Sequence, residues 1–387
     1  MAAPLDKPYR VYRGGRTKGK VPLSGRDGKS GSGRSGGAPA ARRRWGWKRT
    51  LLLVVVLLIV LVVIWSFAGF LSLRSGVAAA HKRLPAGTAS ALTHQGGLIV
   101  DSPTNILLLG TDHSTNGQAG RSSDEHSDSM MLLRVDPKRH RLVYLSIPRD
   151  LRATIPGYGD QKINAAMQIG GPKLAVQTVQ QFTGLPVNHV VVVDFGSFQK
   201  LIDAIGGVTV NIPENILSNR FDCPYSTQAR CDQWPGWRFH KGVQHLTGHQ
   251  ALIYSRVREN RLNPADTDIT RGEHQQQVMQ AALSKLASVS TFLRLPFDGS
   301  TLLAPIATDL STWDFMQLGW VKFRAGTTLH CRLGGTSADI GGGSYIVGTQ
   351  ENISVIQEVL GNSAPQPPSP GGGQYAPGCL TGSQQFK

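Results

Sequence analysis

Apolar residues fall into one long run and many short ones. Leu51 to Leu71 is 21 residues without a charge, and Ser66 is its only clearly polar side chain. At about 1.5 Å per residue, a helix of that length reaches roughly 30 Å, the hydrocarbon thickness of a bilayer. A soluble helix this long would leave a polar stripe for water. The run therefore predicts a single N-terminal transmembrane helix over 51–71. A cleaved secretory signal would carry a shorter apolar core nearer the terminus.

Beyond residue 100 the runs shorten. Ile106–Leu109, Met130–Val135 and Leu142–Ile147 are bounded by turn residues and predict strands. Lys173–Phe182 predicts a helix that Gly184 stops. Val190–Val193 is an unbroken β-branched run, the pattern of a strand buried on both faces. A helix over Phe198–Ile205 and a strand over Val208–Ile212 follow. Thr247–Val257 and Arg271–Ser288 are further helices, and 301–361 holds shorter mixed elements. Strands alternating with helices predict an α/β layered domain.

These patterns divide the chain into a basic disordered tail (1–50), the transmembrane helix (51–71), a stalk (72–100), a folded domain (101–361) and a Pro/Gly-rich tail (362–387). No internal repeat is present.

Charge sharpens this division. The formal net charge is +16, but residues 1–50 hold 14 Lys/Arg against 2 Asp/Glu, leaving only +4 for the remainder. A nucleic-acid reading based on the whole-chain charge therefore loses its support, and the tail has no recognition helix. The basic cluster Arg42–Arg44, Lys48 and Arg49 precedes the apolar run and only Arg74 closely follows it. The positive-inside rule then keeps the N-terminus cytoplasmic and exports the folded domain. Trp45, Trp47 and Trp65 suit the two membrane interfaces. All four cysteines, Cys223, Cys231, Cys331 and Cys379, fall on the exported side, where disulfides persist. A local Cys223–Cys231 bridge and a Cys331–Cys379 tie are plausible, but four cysteines allow three pairings. Zinc is the weaker reading, because no CxxC spacing occurs.

Candidate chemistry gathers at the ends of the expected elements. Asp112 follows the first strand and Asp128 opens the second. Two carboxylates meeting at one sheet edge suit a hard cation such as Mg²⁺, although Asp is also an ordinary turn residue. Arg149 ends the third strand, and Arg256 and Arg258 lie two residues apart, so an extended segment would point both to one side. Arginine grips phosphate through a planar two-pronged contact. Lys162 is either another phosphate contact or a helix start. Acids that hold Mg²⁺ together with several arginines equip a site for phosphoryl transfer. No P-loop and no GxSxG motif is present. Val191, Val193, Ile202 and Leu252 are either lining for an apolar groove or ordinary core.

Eight segments in order then resemble the LytR-CpsA-Psr family. They are Asn105–Asp112, Ser127–Leu133, Ser146–Asp150, Ile155–Gly159, Lys162–Ala166, Val193–Phe195, Asp203–Val208 and Gln244–Leu252. The resemblance implies an α/β domain with a central mixed β-sheet flanked by helices. It implies a plasma-membrane phosphotransferase that moves a glycopolymer from a polyprenyl-pyrophosphate carrier to a wall acceptor, peptidoglycan in most members. It implies Mg²⁺ (or Mn²⁺) held by Asp112 and Asp128, and pyrophosphate held by Arg149, Arg256 and Arg258. Lys162, Arg121, Asp268, Arg271 and Gln275 are implied as further substrate contacts. His113 and Ser114 stand where the family often has an arginine, which Arg121 replaces. His274 stands where a second arginine is common, and Asp266 competes with Asp268 for its place. A pyrophosphate hydrolase using the same residues, and a lipid-binding protein without turnover, are the alternatives.

Overall fold

The structure is a computed structural model, and it describes residues 46–111, 127–263, 268–286, 288–373 and 375–382. The chain divides into two units, Met1–Val55 and Val56–Lys387. Of the tail expected over 1–50, residues 1–45 lie outside the described residues, and Trp47 to Thr50 belong to the first helix.

Helix α1 (Trp47–Arg83) leads into β1 (Thr104–Thr111), β2 (Ser127–Asp136) and β3 (Arg141–Ile147). The hairpin β4 (Arg152–Ile155) and β5 (Gly159–Lys162) precedes α2 (Ala165–Thr183). Then come β6 (His189–Asp194), α3 (Phe195–Ala204) and β7 (Val208–Ile212). A peripheral excursion holds β8 (Ile216–Leu217), α4 (Gln228–Gln233), β9 (Arg238–Phe239) and β10 (Gly242–Leu246). Helices α5 (Gly248–Arg256), α6 (Asp268–Leu286) and α7 (Val289–Leu302) follow in succession. The remainder is β11 (Ile306–Thr308), α8 (Thr312–Arg324), β12 (Thr327–Arg332), β13 (Gly335–Ile340), β14 (Gly343–Gly348), α9 (Glu351–Leu360) and β15 (Gly378–Thr381).

Seven strands form one mixed sheet in the order β11-β6-β1-β2-β3-β12-β15. Strand alternation sends successive side chains to opposite faces. Ile106, Leu108, Met131 and Leu133 pack on one face with residues of α3, α5 and α6. Leu107, Leu109, Met130 and Leu132 pack on the other with α2 and α9. The result is the helix–sheet–helix layering that the alternation of elements predicts. Strands β1, β3, β6 and β12 run parallel to one another, so their carboxyl ends share one sheet edge.

Several expectations change. The helix predicted over 51–71 continues to Arg83, so the first part of the stalk is helical. Val77, Ala80 and Ile99 within the expected stalk are buried in the core. The strand over Val208–Ile212 forms as predicted, but it pairs with β10 outside the main sheet. The segment after 361 is not a loose tail, because β15 pairs with β12 at the sheet edge. Its proline and glycine content obscures a four-residue strand that long-range pairing stabilises. The cysteines pair as Cys223–Cys231 and Cys331–Cys379.

Candidate functional site

A cleft opens at the carboxyl ends of β3 and β12, roofed by the N-terminal half of α6. Ser129, Arg149, Arg271, Glu273, Gln275 and Arg332 are among its lining. Ligands in α/β folds bind outside the carboxyl ends of parallel strands for this geometric reason. Arg149 stands on the turn after β3 and Arg271 on the first turn of α6, where its side chain is buried. Arg332 ends β12 and contacts Glu273 at 3.2 Å, while its Nη2 donates to the Ala376 carbonyl at 3.0 Å. Burial lowers the Arg332 pKa and Glu273 partly offsets this; the guanidinium remains charged.

Asp150 fixes the rim. It accepts from Lys162 Nζ at 2.8 Å and from Arg149 Nε at 3.3 Å, and its carbonyl accepts from the Ile346 N–H. Lys162 also lies 5.7 Å from the Tyr345 ring centroid. Lys162 thus reaches the cleft rim through Asp150, the same carboxylate that pairs with Arg149. The segment after 361 closes the same region. The Gly335 N–H donates to the Tyr375 carbonyl at 2.8 Å. A Cβ at Gly334 would fall 1.8 Å from that oxygen, so only glycine admits this approach.

An apolar cavity adjoins the cleft and shares Ser129 and Gln275 with it. Leu108, Met131, Val193, Phe198 and Met279 line it. Of the four apolar candidates read from sequence, only Val193 belongs to this lining. Val191 and Ile202 are core residues, and Leu252 packs against the core. Gly248 lets α5 close on α3 here, since a Cβ would meet the Gln199 carbonyl at 2.1 Å. Its N–H donates to Asp203 at 2.7 Å, which explains the aspartate in the Asp203–Val208 segment as a clamp between helices.

The two predicted acids are related by backbone register. Gly110 pairs with Ser129 and Thr111 with Ser127, so Asp128 is the extra residue of a β-bulge. Bulges are enriched beside active sites because they re-aim a side chain. Asp112 follows Thr111, the last residue of β1, in the sequence. Asp112, His113, Arg121 and Asp266 lie outside the described residues, as do the side chains of Asp128 and Asp268. Asp268 is the first residue of α6.

Arg256 closes α5 and Arg258 follows it in the chain. Arg256 pairs with Asp222 and lies 5.9 Å from the Phe221 ring centroid. Neither is among the residues lining the cleft around Arg149. The Ser255 carbonyl just before them accepts from Gln275 at 3.3 Å.

His274 points into the core, with its ring 4.2 Å from that of Tyr254. Burial lowers its pKa to about 3, and a hydrogen bond with the Tyr254 backbone offsets only part of that shift. The unfolded chain takes up this proton near pH 6.5, whereas the folded chain does so only near 3. Stability therefore falls as pH drops through that window, by at most about 1.4 kcal/mol per pH unit. His274→Gln should flatten the acid limb of a pH–stability profile, and an unchanged limb would refute this assignment.

The LytR_cpsA_psr family profile matches residues 69–361. The chain belongs to this family. It is 34% identical over 272 residues to the polyisoprenyl-teichoic acid–peptidoglycan teichoic acid transferase TagU of Oceanobacillus iheyensis, covering 68% of this chain and 77% of that protein. It is 33% identical over 216 residues to the corresponding transferase TagV of Bacillus subtilis, covering 55% of this chain and 51% of TagV. The match thus spans about half the length of TagV. The solved structure "TagT bound to LIIa-WTA" superposes with a TM-score of 0.54 at 26% identity, over 69% of this chain and 94% of that one.

Within this LytR-CpsA-Psr domain, sequence reading missed Arg332, Glu273, Gln276 and Tyr375. Glu273, Gln276 and Gln280 recur at helical spacing, which was the available signal for a polar face on α6. Arg332 and Tyr375 gave none, because their relevance depends on β12 and β15 pairing across the sheet edge.

Proposed function

We propose that this chain is a membrane-anchored phosphotransferase. It moves a glycopolymer from a polyprenyl-pyrophosphate carrier to a hydroxyl of the cell wall, with peptidoglycan as acceptor. The observation that carries this reading is the junction of an arginine-lined cleft with an apolar cavity at Ser129 and Gln275. A diphosphate headgroup on an isoprenoid chain needs those two environments side by side. The acceptor oxygen attacks the phosphorus joined to the sugar. The bond from that phosphorus to the bridging oxygen breaks, and polyprenyl phosphate leaves. Arg149 and Arg271 neutralise the phosphates so that the hydroxyl can approach. Arg256 and Arg258 serve the same headgroup from the end of α5, and Asp150 and Lys162 hold Arg149 in place.

A third compartment suits the glycan. A groove of ≈ 520 Å³ runs from the cleft between α6 and β7 and shares Glu273 and Gln276 with the cleft. Gln277, Gln280, Ser284, Thr209 and Asn211 offer it amides and hydroxyls that match sugar hydroxyls. The relatives named as teichoic acid transferases to peptidoglycan support the same substrate class.

Carboxylate oxygens are the ligands that a hard divalent cation prefers. Asp112 and Asp128 would hold Mg²⁺ (or Mn²⁺), and that ion supplies charge neutralisation at the pyrophosphate when bound. Among the described residues no group of three or more His, Cys, Asp or Glu is placed to hold a metal ion. Chelation should abolish transfer, and Mg²⁺ or Mn²⁺ should restore it. Asp112→Asn and Asp128→Asn should each lose the response to added metal. Full activity in chelator would remove the metal from this account.

Helix α1 is long and apolar enough to cross a membrane. The basic residues before it support a cytoplasmic N-terminus and an extracytoplasmic catalytic domain through the positive-inside rule. Both disulfides lie in that exported part.

A further inference from the structure

Helix α8 is a surface helix with apolar side chains on its outer face as well as its inner one. Thr312, Gln317 and Val321 face the interior. The outer face carries Trp313, Met316, Trp320 and Phe323, each about half exposed or more, with Phe323 at 79%. Their spacing of three, four and three residues sets them on one side of the helix. A helix apolar on both faces is covered by something other than water. Leu293 and Phe297 of α7, four residues apart, are exposed in the same way, Phe297 at 71%.

The placement of α7 indicates what covers these faces. It packs against α1 through glycines on both helices. A Cβ at Gly69 would sit 3.2 Å from Leu295 Cβ, one at Gly76 2.9 Å from Ser300 Cα, and one at Gly299 2.9 Å from the Leu73 nitrogen. Such close backbone approach joins helices firmly. Phe297 then meets Trp65 edge-on, with centroids 5.4 Å apart. Trp65 lies within the 51–71 apolar run, about 9 Å of helix before its last residue. A bilayer deep enough to take that run therefore reaches Phe297. Helix α8 is tied to the same support. His81 near the end of α1 bonds the Leu310 carbonyl at 2.8 Å, two residues before α8 begins. Arg83 donates to the Leu303 and Ile306 carbonyls between α7 and α8. Lys322 and Arg324 close α8, with the Arg324 guanidinium 6.0 Å from the Trp320 ring centroid. Aromatic rings with flanking cations are the side chains that settle at the headgroup level.

We propose that the outer faces of α7 and α8 seat in the outer interfacial layer of the bilayer that α1 crosses. The catalytic domain then lies on the membrane surface in a fixed pose, and no free stalk separates it from the lipid donor. This inference rests on reading α1 as a membrane span.

The test uses the full chain in nanodiscs of phosphatidylglycerol and phosphatidylethanolamine. Single nitroxide labels are placed at Phe297→Cys, Trp320→Cys, Phe323→Cys, Val60→Cys in the span and Ile353→Cys on α9. Accessibility is measured to oxygen, which partitions into lipid, and to a nickel chelate, which stays in water. The proposal expects sites 297, 320 and 323 to show an oxygen-to-nickel ratio severalfold above that of site 353 and close to that of site 60. Water-like ratios at 320 and 323 beside a lipid-like site 60 would overturn the seat and leave the span intact. A water-like site 60 would overturn the span and the seat together. Protection of 320 and 323 from both reagents would mean that a second copy or another protein covers the face, which also refutes the proposal.

Discussion

Replacing Arg149 with alanine should lower glycopolymer transfer by about 10²–10³-fold, the usual loss when one preorganised charge-stabilising group is removed. The geometry explains why folding should survive. Arg149 sits on an open rim with its side chain 21% exposed, and its ion pair with Asp150 is backed by Lys162. Asp150 keeps that lysine when Arg149 is gone. Arg149→Lys should fall between wild type and alanine, because lysine keeps the charge but loses the planar fork. Glycan transfer and polyprenyl phosphate release from a synthetic lipid donor would be followed together. A variant with near-normal turnover would remove Arg149 from the site.

The second large effect concerns stability. Removing the Cys331–Cys379 bridge with alanines at both positions should cost about 4 kcal/mol, from the chain entropy of a 48-residue separation. Both cysteines are almost fully buried at the β12–β15 pair. Arg332 is the next residue after Cys331, and Ala376 and Tyr375 precede Cys379 closely. Loosening this edge should therefore weaken the cleft before the domain unfolds. Removing Cys223–Cys231 should cost less, since only 8 residues separate that pair. Guanidinium unfolding of the two double variants would compare them. Equal costs, or a loss below about 1 kcal/mol for the 331–379 pair, would show that the edge is held mainly by strand pairing.

The central strands were legible in sequence because each is a run of apolar residues between turn residues. Helix α5 was bounded correctly because its start carries a capping box, Thr247 with Gln250. Gly184 ended α2 as expected, with the positive φ of a left-handed cap. The C-terminal edge was not legible, because β15 is four residues long and depends on a partner 50 residues away. Within the site, Arg149 was read as chemistry at an element end, whereas Arg271 and Gln275 came from the family resemblance; all three line one cleft. Arg332 and Glu273 were missed because their pairing joins a strand end to a helix face, and no local pattern encodes that. His274 shows the opposite failure. It stands where the family commonly has a second arginine, and helical periodicity turns it into the core.

The most direct test of the central claim follows one phosphorus atom. The full chain would be given a polyprenyl-pyrophosphate glycan labelled at the sugar-proximal phosphorus, with Mg²⁺ and peptidoglycan. The account predicts that the label moves with the glycan into the wall polymer, one unlabelled polyprenyl phosphate being released for each transfer. Label recovered as a free glycan phosphate would mean that water is the acceptor and the protein a hydrolase. Label retained on the lipid, with the lipid bound but never turned over, would contradict the account entirely.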